Sequence, residues 1–185
     1  VVVAAHLITA LQTIVSRNSN PLESTVVTVG QINGGDNFNI ITDQVRLRGT
    51  ARAYTPENQQ LIIDQMNRIS EGIATTFGAE INLDYQKGYP VTVNAVGPTE
   101  KTRIAAEKIA GEGVVSPYLS MGGEDFSYFA NEVPSCYFFI GSAPTDREPM
   151  SVPHHCSHFD IDERALLVGA SVYTQIAIDC LGTAR

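Results

Sequence analysis

Cysteine is scarce in this chain, and the three that occur are scattered. Cys136, Cys156 and Cys180 are odd in number and form no Cys-x-x-Cys motif. That usage favours reduced thiols over a disulfide framework, and a cytoplasmic home is expected. Basic charge is also in short supply. Lys and Arg total 12 against 20 Asp and Glu, giving a net charge of −8 and a pI near 4.9. Nucleic acid and anionic membranes both call for a basic surface, so neither is expected as a partner. No uninterrupted apolar run approaches the roughly 18 residues that span a bilayer. The opening "VVVAAHLITALQTIVSR" lacks the basic leader of a signal peptide. Internal repeats and low-complexity segments are absent too.

What is present is ordinary globular material, 43% hydrophobic and 17% charged over 185 residues. This is enough for one domain or two small ones. Val3, Leu7, Leu11 and Ile14 follow one another at helical spacing from the first residue, with no capping residue before them. A helix that starts so abruptly is expected to have lost something upstream. "TVVTVGQI" (25–32) and "QVRLRGTARAY" (44–54) predict strands, the second by alternation of Val45, Leu47, Gly49, Ala51 and Ala53 with polar neighbours. Thr55, Pro56 and Glu57 start a helix whose buried stripe is Ile62, Met66, Ile69, Ile73 and Phe77, and Gly78 closes it. "AEINLDYQ" (79–86) alternates as a further strand. "KGYPVTVNAVGP" (87–98) is the linker candidate. Beyond it come a helix at 99–110, a short strand near 114–119 leading into a glycine loop, and an apolar strand at 135–141. A last helix is expected over 162–181, with Asp160 and Glu163 as its capping box.

Three loops concentrate chemistry. "VPHHCSHFDIDERA" (152–165) holds three of the four histidines and one cysteine. It fits a metal site, a Cys156 nucleophile with a histidine base, or simply the polar lead-in to a helix. Zinc needs three or four donors, and no second Cys/His cluster exists to close a structural site. Cys156 needs a base close in space but distant in sequence. "SMGGEDFSYF" (120–129) offers two glycines that let backbone approach a ligand, followed at once by Glu124 and Asp125. It fits equally a tight turn whose acidic residues cap a short helix. "GGDNFNIITD" (34–43) supplies Asn37 and Asn39. Arg52, flanked by small residues in "TARAY", has room for a bidentate grip on a carboxylate, or serves as a surface strand charge.

Taken together, "SRNSNPLESTVVTVGQINGGDNFNIITDQVRLRGTARAY", "DYQKGYPVTVN", "MGGEDFSYF" and "HHCSHFDIDERAL" resemble, in order and spacing, the dinuclear-metal aminoacylase/carboxypeptidase family. The nearest branch is that of the hippurate hydrolases and auxin-conjugate amidohydrolases. The resemblance covers almost all of this chain but only the latter half of a typical member. It implies an α/β fold in two parts. Residues 1–92 resemble a two-layer α/β sandwich lid, without its first strand, which often forms the dimer contact. Residues 93–185 resemble the C-terminal portion of the metal-dependent catalytic domain.

By the same resemblance, His155, four residues before Phe159, is a metal ligand. Asn39 and Arg52 bind the carbonyl or carboxylate of the substrate, and the loop containing Gly122, Gly123 and Glu124 lines the site. The implied cofactor is a divalent metal (zinc, or manganese or cobalt), and the implied substrate a small N-acyl amino acid or amide. Implied partners are a second copy through the lid and the N-terminal half that typical members carry. Thr42 stands where the family pattern usually has proline. The other metal ligands and the carboxylate base lie upstream in the family, so this chain is expected to be inactive alone. The rival expectation is a stand-alone dimerisation or small-ligand-binding module without catalysis.

Overall fold

The computed structural model describes residues 1–144 and 154–182. The chain forms two compact units. The first comprises Val1–Val91 together with Met121–Gly123. It opens with helix α1 (Val2–Thr13), which runs into a π-type turn over Ile14–Asn18. Val1 provides no side-chain cap. Ser19 and Asn18 close the wide turn, their N–H and side-chain amide reaching the carbonyls of Ile14 and Thr13 at 3.0 and 2.8 Å. Strands β1 (Thr25–Asn33) and β2 (Arg46–Ala53) pair antiparallel, from Thr25 opposite Ala53 to Asn33 opposite Arg46. A bulge between Val29 and Gln31 leaves Gly30 outside the register.

Helix α2 (Pro56–Phe77) begins and ends where the local chemistry requires. Thr55 accepts from the Asn58 N–H, Pro56 occupies the first turn, and Gly78 adopts the left-handed conformation (φ +61°). The core lies between the helices and the hairpin. Ile14 and Ile62 are fully buried, with Leu7, Leu11, Val27 and Ile69 around them. Met66 and Ile73 pack against this cluster as the stripe predicts. Phe77 is more exposed, its ring 4.8 Å from that of His6.

The second unit comprises Thr92–Ser120 and Glu124–Arg185. Helix α3 (Val96–Ala110) packs on helix α5 (Arg164–Leu181), with Ala105 and Val172 buried. Lys108 Nζ meets Asp179 Oδ2 at 2.7 Å. A short helix α4 (Phe126–Glu132) follows the glycine loop. By length and composition α5 is apolar enough to cross a membrane, with a mean hydropathy of 1.2. Only 11% of it is buried, and Leu166, Leu167, Tyr173, Ile178 and Leu181 are exposed.

Three expected strands do not form. Among the described residues the sheet has two strands, and 79–86, 114–119 and 135–141 enter no ladder. The alternation at 79–86 survives in part: Ala79, Ile81 and Tyr85 are half-buried, and Ile81 touches the core. Side-chain period alone does not make a strand, because every N–H and C=O of a ladder needs a neighbouring backbone. At 135–141 the neighbour is partly a side chain. The amide of Asn94 accepts from the Tyr137 N–H at 2.7 Å and donates to its carbonyl at 2.8 Å. The expected capping box is corrected as well. α5 starts at Arg164, Glu163 at its N-cap makes no side-chain cap bond, and the carboxylate that accepts from the Arg164 N–H, at 3.0 Å, is that of Asp162.

Position 49 must be glycine for the hairpin to close. A Cβ there would stand 2.2 Å from the Thr28 carbonyl oxygen, which belongs to backbone and cannot swing away. Gly49→Ala is expected to cost about 1–3 kcal/mol in urea unfolding. Gly30→Ala, with nothing within 4 Å of its Cβ, serves as the control and is expected to change stability by less than about 0.5 kcal/mol.

Candidate functional site

The alternation of β2 decides where Arg52 points. Ala51 and Ala53 pack against the core, so Arg52 between them faces outward, opposite Val26. There its Nη1 donates to the Met121 carbonyl at 2.5 Å. Arg52 and the start of the glycine loop, separated by 69 residues in sequence, thus meet within the first unit. That bond uses one of five guanidinium N–H groups, so donors remain for a ligand. Gly122 and Gly123 are exposed in the same segment. A Cβ on Gly123 would lie 3.2 Å from the Tyr89 ring, so the loop passes close over that side chain.

Glu124 belongs to the second unit and is half-buried. Its carboxylate takes a hydrogen bond from the Tyr137 phenol. Burial first, and then the bond to Glu124, pushes the Tyr137 phenol above its ordinary value. This contact was not legible in the sequence, where Tyr137 is one more residue of an apolar run. Asp125 precedes α4 but caps it with no side-chain bond, whereas the buried Ser127 hydroxyl donates to the Glu124 carbonyl at 2.6 Å.

Asn39 is exposed in the β1–β2 connection, and its side chain has no hydrogen bond among the described residues. His155 lies in the second unit and is exposed. It has φ +64°, the one non-glycine positive φ among the described residues. That conformation costs roughly 1–2 kcal/mol for an L-residue, and histidine tolerates it better than most. The imidazole of His154 packs on Phe159, centroids 4.8 Å apart, and lies 6.5 Å from that of His155. No hydrogen bond joins Cys156 to a histidine among the described residues, so nothing there activates it as a nucleophile.

No group of three His, Cys, Asp or Glu side chains able to hold a metal occurs among the described residues. The described donors therefore do not by themselves fit a resident metal. Pro153 and the segment 145–152 lie outside the described residues.

Two expectations follow. Arg52→Gln removes the tether on Met121, so amide exchange at residues 121–123 is expected to quicken while that of β1 stays unchanged. The second concerns the start of α5. Arg164, through its guanidinium and then its backbone N–H, holds the Asp162 carboxyl at about 2, below the usual 3.8. A carboxylate depressed in this way contributes stability that is complete above the unfolded value and is lost as pH falls toward the folded one. The first turn of α5 is thus expected to loosen between pH 3.8 and about 2. Asp162→Asn is expected to abolish that dependence in NMR spectra of the helix.

The model of peptidase family M20/M25/M40 matches residues 3–179 of this chain. N-acetyl-L-cysteine deacetylase of Bacillus subtilis (strain 168) is 39% identical over 166 residues, which cover 89% of this chain and 38% of that protein. N-acetyldiaminopimelate deacetylase of Bacillus cytotoxicus is 38% identical over 141 residues, covering 76% of this chain and 38% of that protein. Among solved structures, YxeP of Bacillus subtilis, described as a dinuclear metal binding peptidase, is similar with a TM-score of 0.75. Its sequence is 26% identical, and the likeness covers 99% of this chain and 46% of that one. The chain spans between 38% and 46% of the length of the curated relatives it matches.

Proposed function

Because this chain belongs to peptidase family M20/M25/M40, we propose that it forms part of a metal-dependent amidohydrolase acting on N-acyl amino acids or similar small amides. The family is the one the four sequence motifs resemble. Residues 1–92 act as the lid and 93–185 as the C-terminal portion of the catalytic domain. Arg52 and Asn39 hold the carboxylate and carbonyl of the substrate, Gly122 and Gly123 of the same compact unit line that site, and Glu124 is assigned to it by the family resemblance alone. The observation that carries this assignment is the bond from Arg52 to Met121, which joins two of the motifs within one compact unit.

His155 contributes one ligand to a divalent metal, zinc or else manganese or cobalt, whose remaining ligands come from the part of the family sequence this chain does not span. When bound, such a metal would supply Lewis-acid chemistry at the amide, and His155 is the residue of this chain that would help to hold it. What these residues supply is orientation. A guanidinium and a side-chain amide fix one end of the substrate, so that its scissile bond is presented in a single pose. One imidazole falls short of the three protein ligands a catalytic zinc needs. The 185 residues by themselves are therefore inactive. The complete protein works in the cytoplasm as a homodimer joined through the lid.

Support for a missing neighbour comes from the second unit. Tyr118, Phe139, Tyr137, Phe126 and Phe129 form a chain of ring contacts at 5.2–6.1 Å, and Tyr118, Phe129 and Phe139 are more than half exposed. The exposed apolar residues of α5 add to this uncovered surface, which suits a neighbouring segment.

The test compares this chain with a version extended to the length of its relatives, both supplied with zinc, cobalt or manganese. Turnover of N-acetyl and N-benzoyl amino acids is expected from the long form only. In the long form Arg52→Gln is expected to raise KM about tenfold to a hundredfold, the loss of a charge-assisted grip. Robust turnover by the 185 residues would remove the incomplete-site assignment. A long form inert toward every such amide, yet dimeric, would favour the binding-module alternative.

A further inference from the structure

The connection between β1 and β2 carries a feature that amide hydrolysis does not use. Asn33, Gly34, Asp36, Thr42, Gln44 and Arg46 line an open, polar cavity of about 440 Å³. Neither Asn39 nor Arg52 is among its walls. Backbone devices hold its shape. Asn33 and Arg46, the last register pair of the hairpin, are both among its walls. A Cβ on Gly34 would stand 2.8 Å from Val45 Cγ2 and 2.9 Å from the Gln44 carbonyl, so the two arms converge only because that residue is glycine. Within the returning arm, the Thr42 hydroxyl donates to the Gln44 carbonyl at 3.0 Å and accepts from the Gln44 N–H at 3.4 Å. This is the position where the family pattern usually has proline, which would delete the hydroxyl and both bonds.

Arg46 and Asp36 bring opposite charges to the walls of this one cavity, yet they do not pair. Neither has an ion pair or a side-chain hydrogen bond among the described residues. Each keeps its full hydrogen-bonding capacity: five donors on the guanidinium, two acceptor oxygens on the carboxylate. A guest with a single charge would satisfy one wall and leave the other without a partner. A guest with a carboxylate and an ammonium on one carbon answers both. We propose that this cavity binds a small zwitterion, a free α-amino acid, with its carboxylate on Arg46 and its ammonium on Asp36. Thr42 and Asn33 supply adjustable polar contacts. The assignment stands apart from the proposed hydrolysis, because an N-acyl amino acid has no ammonium group and is poorly matched here.

NMR titration of the 15N-labelled 185-residue chain with glycine tests it. Saturable shifts are expected at residues 33–36 and 42–46, with N-acetylglycine and glycine methyl ester each binding about tenfold or more weakly. Arg46→Gln and Asp36→Asn are each expected to weaken glycine binding by a similar factor, at an unchanged melting temperature because both side chains are exposed. Absence of saturable shifts at these residues would overturn the proposal. Equal binding of glycine and N-acetylglycine, or variants that bind as the parent does, would overturn it too.

Discussion

The hairpin of β1 and β2 stands because α1 and α2 cover one of its two faces. Two strands alone are marginal in water, since neither face is shielded and only one ladder is formed. Here Ile14 and Ile62 are fully buried in a cluster shared by α1, the π-type turn after it, α2 and β1. Each such side chain contributes about 1.5–3 kcal/mol. The same burial fixes the register. A slip of one residue would turn Arg46, Arg48 and Arg52 into the core and Leu47, Ala51 and Ala53 out of it. The outward aim of Arg52 is thus a consequence of what its neighbours bury, and its contact with Met121 follows from that aim.

The second unit obeys a different constraint. α3 and α5 pack together with Ala105 and Val172 buried, and Gly169 leaves room for the Ile140 side chain. The apolar run 135–141 therefore rests on α5 without a strand beside it. Its backbone still needs partners, and Asn94 supplies two of them from a side chain. Ala95 adds a third by donating to the Ser135 carbonyl at 2.9 Å. A side-chain amide in the place of a strand satisfies one residue, not a ladder, which is why the segment is extended without being part of a sheet.

The elements legible in the sequence are those whose signals are local. α2 is the clearest: Thr55, Pro56, the Ile62-to-Ile73 stripe and Gly78 all act within the helix itself, and all do what their chemistry requires. The hairpin was legible because alternation and a glycine-rich connection are also local. What failed was long-range. Ile81 and Tyr85 alternate as strand residues do, but no pattern within 79–86 can report whether another backbone lies alongside. The same holds at the site. "TARAY" signals a roomy arginine, while its partner 69 residues away is invisible until the chain folds. The pairing of Tyr137 with Glu124 and the left-handed backbone of His155 left no sequence signal, since tyrosine, glutamate and histidine occupy such places for many reasons.

Net charge is the coarsest of these signals, and here it points away from the local chemistry. An N-acyl amino acid carries a carboxylate, and a chain of net charge −8 repels it at long range. That repulsion is screened beyond about 8 Å at physiological ionic strength. Within that distance the sign is set by whichever side chains stand closest. On β2 these are Arg46, Arg48 and Arg52, which share one face because their positions differ by even numbers, and all three are exposed. An acidic protein therefore offers a basic strand to an anionic ligand. The ligand feels that strand only after crossing the screened outer field, so salt is expected to speed its approach while weakening its final hold.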